Sequence, residues 1–419
     1  MRLLPLAFKS LRNRRFTVAL TVFTLALSVC LLLGVERVRT QTRESFASTV
    51  SGTDLIVGAR SGPVNLLLYA IFHIGDATNN VSWQSYKEIA ALPDVAWSVP
   101  ISLGDSHRGY RVVGTSADFF THYRYGAKHA LSFAQGDAFS DLYDAVLGAE
   151  AARKLGYRLG DGIVVAHGTG RATIAEHKDK PFRVAGILQP TGTPVDASVF
   201  VSLAAIEAIH ADWQYGTRLP GAGVSADAAR RLDLTPKTIT AFLLGLKSRV
   251  ATFGVQRAIN EYEAEPLLAI LPGVTLQQLW GLVGVAENAL RLISALVVLV
   301  VLAGMLTALV TTLAERRREM AILRALGATP LTIFGLLLLE ALLLAACGAL
   351  AGIALLYLAL AFAQRMLLDG YGIAIALTPP SGTELTLVGG VLLAGLVAGL
   401  VPAALAYRNA LADGLTIRT

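Results

Sequence analysis

The sequence predicts a membrane protein of four transmembrane α-helices, with a large external α+β domain inserted between helices 1 and 2. Two observations predict this class. Hydrophobic residues make up 54% of the 419 residues and charged residues only 16%, whereas soluble domains carry about 25% charged residues. The apolar residues are also concentrated in a few runs, each with the roughly 20 residues that a helix needs to cross a bilayer.

The four apolar runs are residues 16–35, 292–314, 331–362 and 385–407. Glu340 is the only charge deep inside one of them. The first run is long for a signal peptide, and no small-x-small cleavage site follows it. Residues 27–30 resemble a lipobox, but Val29 stands where a small residue is needed before Cys30. We therefore interpret the first run as a spanning helix.

Three clusters of basic residues flank these runs, and all three fall on one side of the membrane if the chain has four spans. They comprise Arg2, Lys9, Arg12, Arg14, Arg15, Arg316, Arg317, Arg318, Arg324, Arg408 and Arg418. Positive residues in short loops stay in the cytoplasm, so the sequence predicts cytoplasmic N and C termini. This orientation also accounts for the net charge of +6 without nucleic-acid binding.

The loop after the first run is large enough for a folded domain. Short β-like runs occur at 54–57, 95–99, 110–113, 162–166, 182–188, 198–201 and 240–244, and helical stretches at 83–92, 150–155, 203–210 and 250–262. This alternation predicts an α+β domain. Residues 36–47 and 276–291 are expected to form helical stalks that lead to and from the membrane.

The apolar segment 63–74 in this domain allows two interpretations. It is either a buried core helix or an apolar surface that contacts a lipidic ligand, the bilayer or a partner. All seven histidines also lie in this domain: His73, His107, His122, His129, His167, His177 and His210. No HExxH or Cys/His spacing occurs, so we predict scattered histidines and no metal site, with a transient zinc site as the alternative.

The most informative stretch lies between the second and third runs. Its residues of interest are Glu315, Arg316, Arg317, Arg318, Glu319, Met320, Leu323, Arg324 and Gly327. Helical spacing places Met320, Leu323 and Gly327 on one face, and Gly327 and Pro330 are expected to end the helix. Such a helix could simply anchor the chain at the membrane surface.

This stretch resembles the coupling helix of MacB/FtsX-type ABC transporter permeases. That pattern has a Glu/Arg-rich start, then Glu-hydrophobic-Ala-hydrophobic-Leu-Arg-Ala-hydrophobic-Gly-Ala. Segments 51–57, 145–156 and 160–161 carry the same resemblance, whereas 412–415 departs from it. Members of this family contain a MacB-like periplasmic core domain and an FtsX-like transmembrane domain. The resemblance implies that the helix binds a groove of a separate ATPase, with Met320 and Leu323 as buried anchors.

The resemblance also implies where the chain is located and which proteins it binds. We expect a non-catalytic permease of the bacterial inner membrane, a homodimer with two ABC ATPase subunits. No GxxxxGK[ST] motif occurs in the chain, so ATP and Mg²⁺ are expected on the ATPase and no cofactor on this chain. Membrane lipid and a periplasmic or lipoprotein partner are further expected contacts, and nucleic acid is not.

The expected function is mechanotransmission, in which ATP hydrolysis moves an external domain. The substrate would be a lipoprotein, peptide, small molecule or metal-linked ligand of the envelope. The alternative is a regulatory FtsX-like protein that switches a cell-wall hydrolase or another envelope partner. Glu340, as an intramembrane carboxylate, is a functional residue, a partner of a polar group across the dimer or a neutral side chain.

The predicted organisation has eight segments. These are the N-terminal segment with helix 1 (1–35), the external domain with its stalks (36–286), helix 2 (287–314), the coupling helix (315–330), helix 3 (331–364), a short external loop (365–384), helix 4 (385–407) and the cytoplasmic tail (408–419).

Overall fold

The computed structural model describes residues 3–49, 51–168, 175–214, 217–218, 224–315, 317–371 and 377–412. The chain divides into two compact units. Met1–Thr42 and Gly284–Thr419 form one, the helical unit, and Arg43–Val283 form the other, the α/β unit.

The described helices are α1 Leu3–Asn13, α2 Arg15–Thr49, α3 Pro63–Phe72, α4 Trp83–Ala90, α5 Asp118–His122, α6 Ala149–Leu155, α7 Leu203–His210, α8 Ala226–Ala229, α9 Thr252–Asn260, α10 Pro272–Glu315, α11 Arg317–Ala325, α12 Pro330–Tyr371 and α13 Gly382–Ala412. Two 3₁₀ turns, Pro194–Ala197 and Arg249–Ala251, complete the helical elements of the described chain.

The main strands are β1 Leu55–Ala59, β2 Val95–His107, β3 Tyr110–Thr115, β4 Phe133–Gly136, β5 Asp144–Leu147, β6 Phe182–Leu188, β7 Ser198–Ser202, β8 Ala241–Leu246 and β9 Leu267–Ile270. They form one mixed sheet in the order β9-β1-β8-β2-β3-β7-β5-β6-β4. The pairs β3–β7 and β5–β6 are parallel and the others in this path are antiparallel.

Shorter strands complete the sheet and its surroundings. Ala166–His167 pairs with β2 and with Ala175–Glu176, and Gly162–Ile163 pairs with β6. Three two-stranded ribbons lie outside the sheet: Val81–Ser82 with Thr238–Ile239, Arg124–Tyr125 with His129–Ala130, and Trp213–Gln214 with Thr217–Arg218.

Both faces of the sheet are buried, because successive side chains of a strand point to opposite faces. In β7, Phe200 belongs to one apolar cluster, while Val199 and Val201 belong to another. In β1, Ile56 joins the first cluster, and Leu55 and Val57 join a third. The sheet is therefore the middle layer of the α/β unit, with helices packed against it.

The apolar segment 63–74 contributes to the first of these clusters. Helix α3 buries Leu66, Leu67, Tyr69, Ala70, Ile71 and Phe72. A helix that is apolar on all sides is stable only when it is surrounded by other elements. The buried-core interpretation is therefore confirmed for α3, and the apolar-surface interpretation is wrong.

The α/β unit departs from the sequence prediction mainly at short elements. Strands β4, β5 and β9 and helices α5 and α8 were not predicted, because each has only four or five residues, over which periodicity is a weak signal. The predicted strand 162–166 is two separate strands, Gly162–Ile163 and Ala166–His167. The predicted helix 250–262 begins with a 3₁₀ turn and continues as α9 only from Thr252 to Asn260.

Within the described residues, four helices are long and apolar enough to span a membrane. The suitable segments are Arg15–Glu44, Pro272–Thr311, Pro330–Phe362 and Gly382–Arg408. Each contains or overlaps one of the four runs predicted from the sequence. The helices α2 and α10, with 35 and 44 residues, continue from these apolar segments into residues of the α/β unit without interruption.

The helix ends differ from the prediction in three places. The segment before the first span is itself helical, as α1. Helix α12 continues to Tyr371, where a loop from residue 365 was predicted, because residues 363–369 are mostly good helix formers. Helix α13 extends to Ala412. Residues 372–376 of the predicted external loop and 413–419 of the predicted tail lie outside the described residues.

Paired glycines allow the spanning helices to pack closely. A Cβ atom at Gly348 or Gly352 of α12 would lie 2.5 and 2.7 Å from Leu25 and Val29 of α2. On α13, a Cβ at Gly395 or Gly399 would lie 2.7 and 2.4 Å from Ala345 and Ala341 of α12. Both pairs have the GxxxG spacing, which permits close approach of helices in a bilayer.

A charge network joins α2 to the other three spanning helices. Its members are Glu36, Arg37, Arg291 and Glu384. The Arg37 guanidinium donates through Nε and Nη2 to the two carboxylate oxygens of Glu384, both at 2.8 Å. It also donates to the Tyr357 hydroxyl of α12 at 3.2 Å. Arg291 of α10 donates to Glu36 at 2.8 Å.

Two members of this network are almost fully buried on α2. Glu36 is 3% exposed and Arg37 is 4% exposed. Glu384 has a second role, because it forms a capping box with Ser381. The Ser381 N–H donates to the Glu384 carboxylate at 2.8 Å, and the Glu384 N–H donates to the Ser381 hydroxyl at 3.2 Å. The network therefore fixes the start of α13 as well as its contact with α2.

Substitution of Gly399 by leucine is expected to loosen α13 from α12, because the added side chain overlaps Ala341. Overpacking of this kind costs about 1–3 kcal/mol. The matched control is Gly390→Leu in the same helix, where an added Cβ meets nothing within 4 Å. We expect a lower melting temperature in detergent for Gly399→Leu only. Equal melting temperatures of the two variants would contradict this packing.

Substitution of Arg37 by methionine is expected to destabilise the helical unit by about 3–5 kcal/mol, because it leaves the Glu384 carboxylate buried without its counter-charge. The double variant Arg37→Met/Glu384→Gln removes both charges and keeps an acceptor for the cap. It should recover a large part of the loss in thermal or denaturant melts. A single variant as stable as the unmodified chain would show that the pair contributes nothing.

Candidate functional site

Helix α11, between the second and third spanning helices, is set apart from α12 by a well-defined turn. The Ala328 N–H donates to the Leu323 carbonyl and the Gly327 N–H donates to the Arg324 carbonyl, both at 2.9 Å. This is the Schellman pattern, which requires a left-handed residue. Gly327 supplies it with a φ of +92°. The next helix then begins with Pro330, and the Thr332 N–H donates to the Thr329 hydroxyl.

The two faces of α11 differ from the arrangement expected from the sequence. Met320 is half-buried and packs against the apolar cluster of α10, α12 and α13 that contains Leu313 and Ile333. The exposed apolar side chains are instead Ile322, which is 61% exposed, and Leu326 just beyond the helix, which is 74% exposed. They are four residues apart, and such residues lie on the same helix face.

The remaining predicted residues of this stretch are only partly described. Glu319 is exposed, and Leu323 and Arg324 are half-buried. The structure describes the backbone of Glu315, Arg317 and Arg318 but not their side chains, and Arg316 lies outside the described residues. The described part of α11 therefore presents an apolar pair, Ile322 and Leu326, beside the acidic side chain of Glu319.

Glu340 is buried in α12, 2% exposed, and lines a small pocket. The pocket is polar on the side of the first two helices, where Ser10, Arg14, Thr17 and Thr21 line it. A buried carboxylate is stabilised by a guanidinium and hydroxyl groups in the same pocket. This arrangement provides Glu340 with suitable polar neighbours inside one chain.

A second polar cluster lies in the α/β unit. The Asp105 carboxylate of β2 is 3.2 Å from His167 Nδ1 and 3.5 Å from His210 Nε2. The ligand-type atoms of these three side chains all lie within 4.8 Å of one another. His177 borders the cluster, and its ring packs edge-on against that of His210 with 5.1 Å between centroids.

The electrostatics of this cluster favour an ionised carboxylate. Burial raises the pKa of Asp105, but hydrogen bonds with His167 and His210 outweigh burial and hold that pKa at about 2. Burial opposes the charged form of His210, yet the hydrogen bond and the charge of Asp105 raise its pKa. Burial and the neighbouring His210 lower the pKa of His177 to about 4.

The expectation of scattered histidines therefore fails for His167, His177 and His210. The other four lie apart from them: His73 bonds with Ser198, His107 with Tyr157, His122 stacks on Trp97, and His129 is exposed. Sequence spacing missed the cluster because its members come from three separate elements, and Asp105 and His167 alone are 62 residues apart. Local motifs report only ligands that are close in sequence.

Family comparisons cover nearly the whole chain. The MacB-like periplasmic core domain matches residues 18–261, which is more than half of the chain. The FtsX-like permease C-terminal domain matches residues 291–411. The second match includes α11, Glu340 and two of the four members of the charge network, Arg291 and Glu384.

Two curated relatives are similar along most of the chain. The macrolide export ATP-binding/permease protein MacB of Azoarcus sp. (strain BH72) is 24% identical over 363 residues, which are 83% of this chain and 50% of that protein. The pyoverdine export ATP-binding/permease protein PvdT of Pseudomonas aeruginosa is 28% identical over 333 residues, 77% of this chain and 46% of that protein. The chain thus spans about half the length of these relatives.

Among solved structures, the periplasmic region of MacB from Actinobacillus actinomycetemcomitans aligns with 56% of this chain and 94% of its own, at 11% identity and a TM-score of 0.33. That score is too low to support an argument about the arrangement of the sheet. The two domain matches establish the family by themselves. The chain belongs to the MacB/FtsX-type ABC transporter permeases, as a multi-pass membrane protein with a MacB-like periplasmic core domain and an FtsX-like permease domain.

Proposed function

We propose that this chain is the permease subunit of an ABC transporter in which a separate ATPase drives movement of the α/β unit outside the membrane. The observation that carries the proposal is the exposed apolar pair Ile322 and Leu326 on α11. Exposed apolar side chains that lie together mark surfaces for a partner or for lipid. Because α11 lies between two spanning helices, a partner that binds α11 can move the helical unit.

The charge distribution supports a cytoplasmic position for α11, where an ATPase can reach it. Arg12, Arg14 and Arg15 precede the first span, and Arg317, Arg318 and Arg324 lie at α11. Basic residues near the ends of spans are retained in the cytoplasm. Both termini are then cytoplasmic, and residues 43–283, between the first and second spans, are external.

The binding chemistry of α11 fits a protein groove. Ile322 and Leu326 supply apolar area, and the small exposed side chains of Ala321 and Ala325 allow close approach. Interfaces gain most of their binding energy from a few such desolvated anchors. Because Met320 packs against the chain's own helices, it holds α11 in position and Ile322 with Leu326 make the contact.

The long helices provide the route for transmission. α2 and α10 each carry both a spanning segment and residues of the α/β unit. Within the α/β unit, Phe46 of α2 stacks on Phe72 of α3 at 4.5 Å and meets Trp280 of α10 edge-on at 5.5 Å. Within the helical unit, the charge network fixes α2 to the other spanning helices.

In the proposed cycle, two copies of the chain pair with two ATPases, which hold ATP and Mg²⁺. Closure of the ATPases brings the two α11 helices together, and α2 and α10 transmit that displacement outward. Such movement acts on a substrate outside the membrane, and it needs no substrate channel between the spanning helices. The chain itself is non-catalytic, because its role is to convert motion at one end of the helices into motion at the other.

The substrate is proposed as an envelope molecule, either a lipoprotein, a peptide, a small molecule or a metal-linked ligand. The two curated relatives are both named as export proteins, which favours transport over regulation of an envelope enzyme. Stimulation of ATP hydrolysis by a small or lipidic ligand supports transport, whereas stimulation only by an envelope protein partner supports regulation.

Replacement of Ile322 or Leu326 by glutamate is expected to weaken ATPase binding at least about tenfold, because an apolar anchor becomes a buried charge. The measurement is copurification of the ATPase from membranes. Val250→Glu, at an apolar residue of the α/β unit that is 91% exposed, is the control for added charge. Normal copurification of the ATPase with both α11 variants would show that α11 is not part of the ATPase interface.

Gly327 allows a test of the turn after α11. No atom lies within 4 Å of a Cβ added there, so alanine strains only the backbone, by roughly 1 kcal/mol. Asparagine tolerates the left-handed region better. ATP hydrolysis stimulated by the permease should therefore decrease in the order Gly327, Gly327→Asn, Gly327→Ala, Gly327→Val. Equal stimulation by all four proteins would show that the turn does not position α11.

A further inference from the structure

The cluster of Asp105, His167 and His210 has the geometry of a metal site. His167 Nδ1 and His210 Nε2 lie 3.2 and 3.5 Å from the same oxygen, Oδ1 of Asp105. Zinc bound tetrahedrally at 2.0–2.1 Å keeps neighbouring ligand atoms about 3.3 Å apart. Two of the three edges of the cluster therefore already have the length of a tetrahedral edge, and the third is no longer than 4.8 Å.

Three elements of the fold bring these side chains together. The pairing of β2 with β3 shifts by one residue between Leu103 and Asp105, and a bulge of this kind redirects the side chain that follows it. His167 lies directly opposite Asp105 in the antiparallel pairing. Directly opposite residues point to the same face of a sheet, so Asp105 and His167 share one face.

His210 is the last residue of α7, and its side chain extends to the Asp105 carboxylate. This helix lies close to β3 at Gly114, where an added Cβ would be 2.7 Å from Ile206 of α7. The absence of a side chain at Gly114 therefore permits the close approach. The Ile206 carbonyl also lies 2.9 Å from His210 Nδ1.

That carbonyl fixes the role of Nδ1. A carbonyl oxygen can only accept a hydrogen bond, so His210 Nδ1 donates to Ile206 and Nε2 is the nitrogen that faces Asp105. Without metal, Nε2–H of the protonated ring donates toward the Asp105 carboxylate; a metal ion that displaces this proton would take its place between the two atoms. Metal-binding histidines show the same pattern, with the second ring nitrogen bonded to a carbonyl or carboxylate.

We propose that Asp105, His167 and His210 bind a divalent transition-metal ion, with zinc as the preferred occupant. Two imidazoles and one carboxylate suit zinc, copper, iron and nickel, whereas magnesium and calcium prefer oxygen ligands only. His167 and His210 are partly exposed, with 32% and 25% of their side-chain surface accessible. The fourth position is open to water or to a donor atom of an external ligand, as in zinc sites that exchange a ligand.

This site would give the α/β unit a chemically defined ligand: a zinc ion, or a molecule that carries one. It goes beyond ATP-driven motion and does not depend on it, because binding requires only the three side chains. Bound metal would also join β2, the strand Ala166–His167 and α7. The chain should therefore be more stable with zinc than without it.

The test uses the full chain, purified in detergent and stripped of metal with a chelator. Zinc is added alone, its binding is measured by competition with a chromogenic chelator, and melting is followed with zinc or magnesium. We expect about one high-affinity zinc ion per chain and a rise in melting temperature with zinc only. Asp105→Asn, His167→Ala and His210→Ala should each weaken binding at least about tenfold.

Two controls keep the result interpretable. His129→Ala removes an exposed histidine elsewhere in the α/β unit and should bind zinc as the unmodified chain does. His167→Ala, at the most exposed of the three ligands, removes a hydrogen bond from the buried Asp105 carboxylate and should melt at a lower temperature in chelator. The comparison for each variant is therefore its own rise in melting temperature with zinc, which should be lost in His167→Ala. The proposal is overturned if the unmodified chain binds no saturable zinc, or if the three variants keep its affinity, in which case the cluster is an ion pair only.

Discussion

The helical unit depends on two adjacent charges that it buries. Glu36 and Arg37 occupy consecutive positions of α2, and a helix directs consecutive side chains about 100° apart. They therefore bond in different directions, Glu36 with Arg291 of α10 and Arg37 with Glu384 of α13. A buried charge without its partner is costly, so each pair strongly favours one arrangement of the helices. The glycines at 348 and 352 then allow close packing of α12 on α2, and those at 395 and 399 allow close packing of α13 on α12.

In the proposed mechanism, this construction allows one short helix to move a large domain. Force applied at α11 acts on the ends of α10 and α12, because only the Gly327 turn separates α11 from α12. The paired charges and close glycine contacts resist sliding of one helix past another. In the proposed mechanism, α2 and α10 transmit the displacement, because each helix contains residues of both units. The proposed zinc site is independent of this route and concerns what the α/β unit recognises.

The sequence predicts those features that depend on local composition. Long apolar runs identify the spanning helices, and residues 182–188 and 203–210 have the bounds of β6 and α7 because their apolar pattern ends at turn residues. The sequence also predicts the position of α11 but not its orientation. Helical spacing alone does not show whether Met320 or Ile322 packs against the chain's own helices. Features formed by distant residues are invisible in one sequence, including the pairing of Arg37 with Glu384 and the cluster of Asp105, His167 and His210. The GxxxG spacings and the S-x-x-E capping box were present as signals and could have indicated the contacts of α12 and α13.

The central claim is that α11 lies in the cytoplasm, where an ATPase can bind it. Labelling of single cysteines with a membrane-impermeant maleimide tests this most directly. Cys30 and Cys347 are first replaced by serine, and cysteine is then introduced at Ile322 or, for comparison, at Val250. The account predicts that position 250 is labelled in intact spheroplasts, and that position 322 is labelled only in inverted vesicles and is protected there by the ATPase. Labelling of position 322 from outside the cell membrane would contradict it.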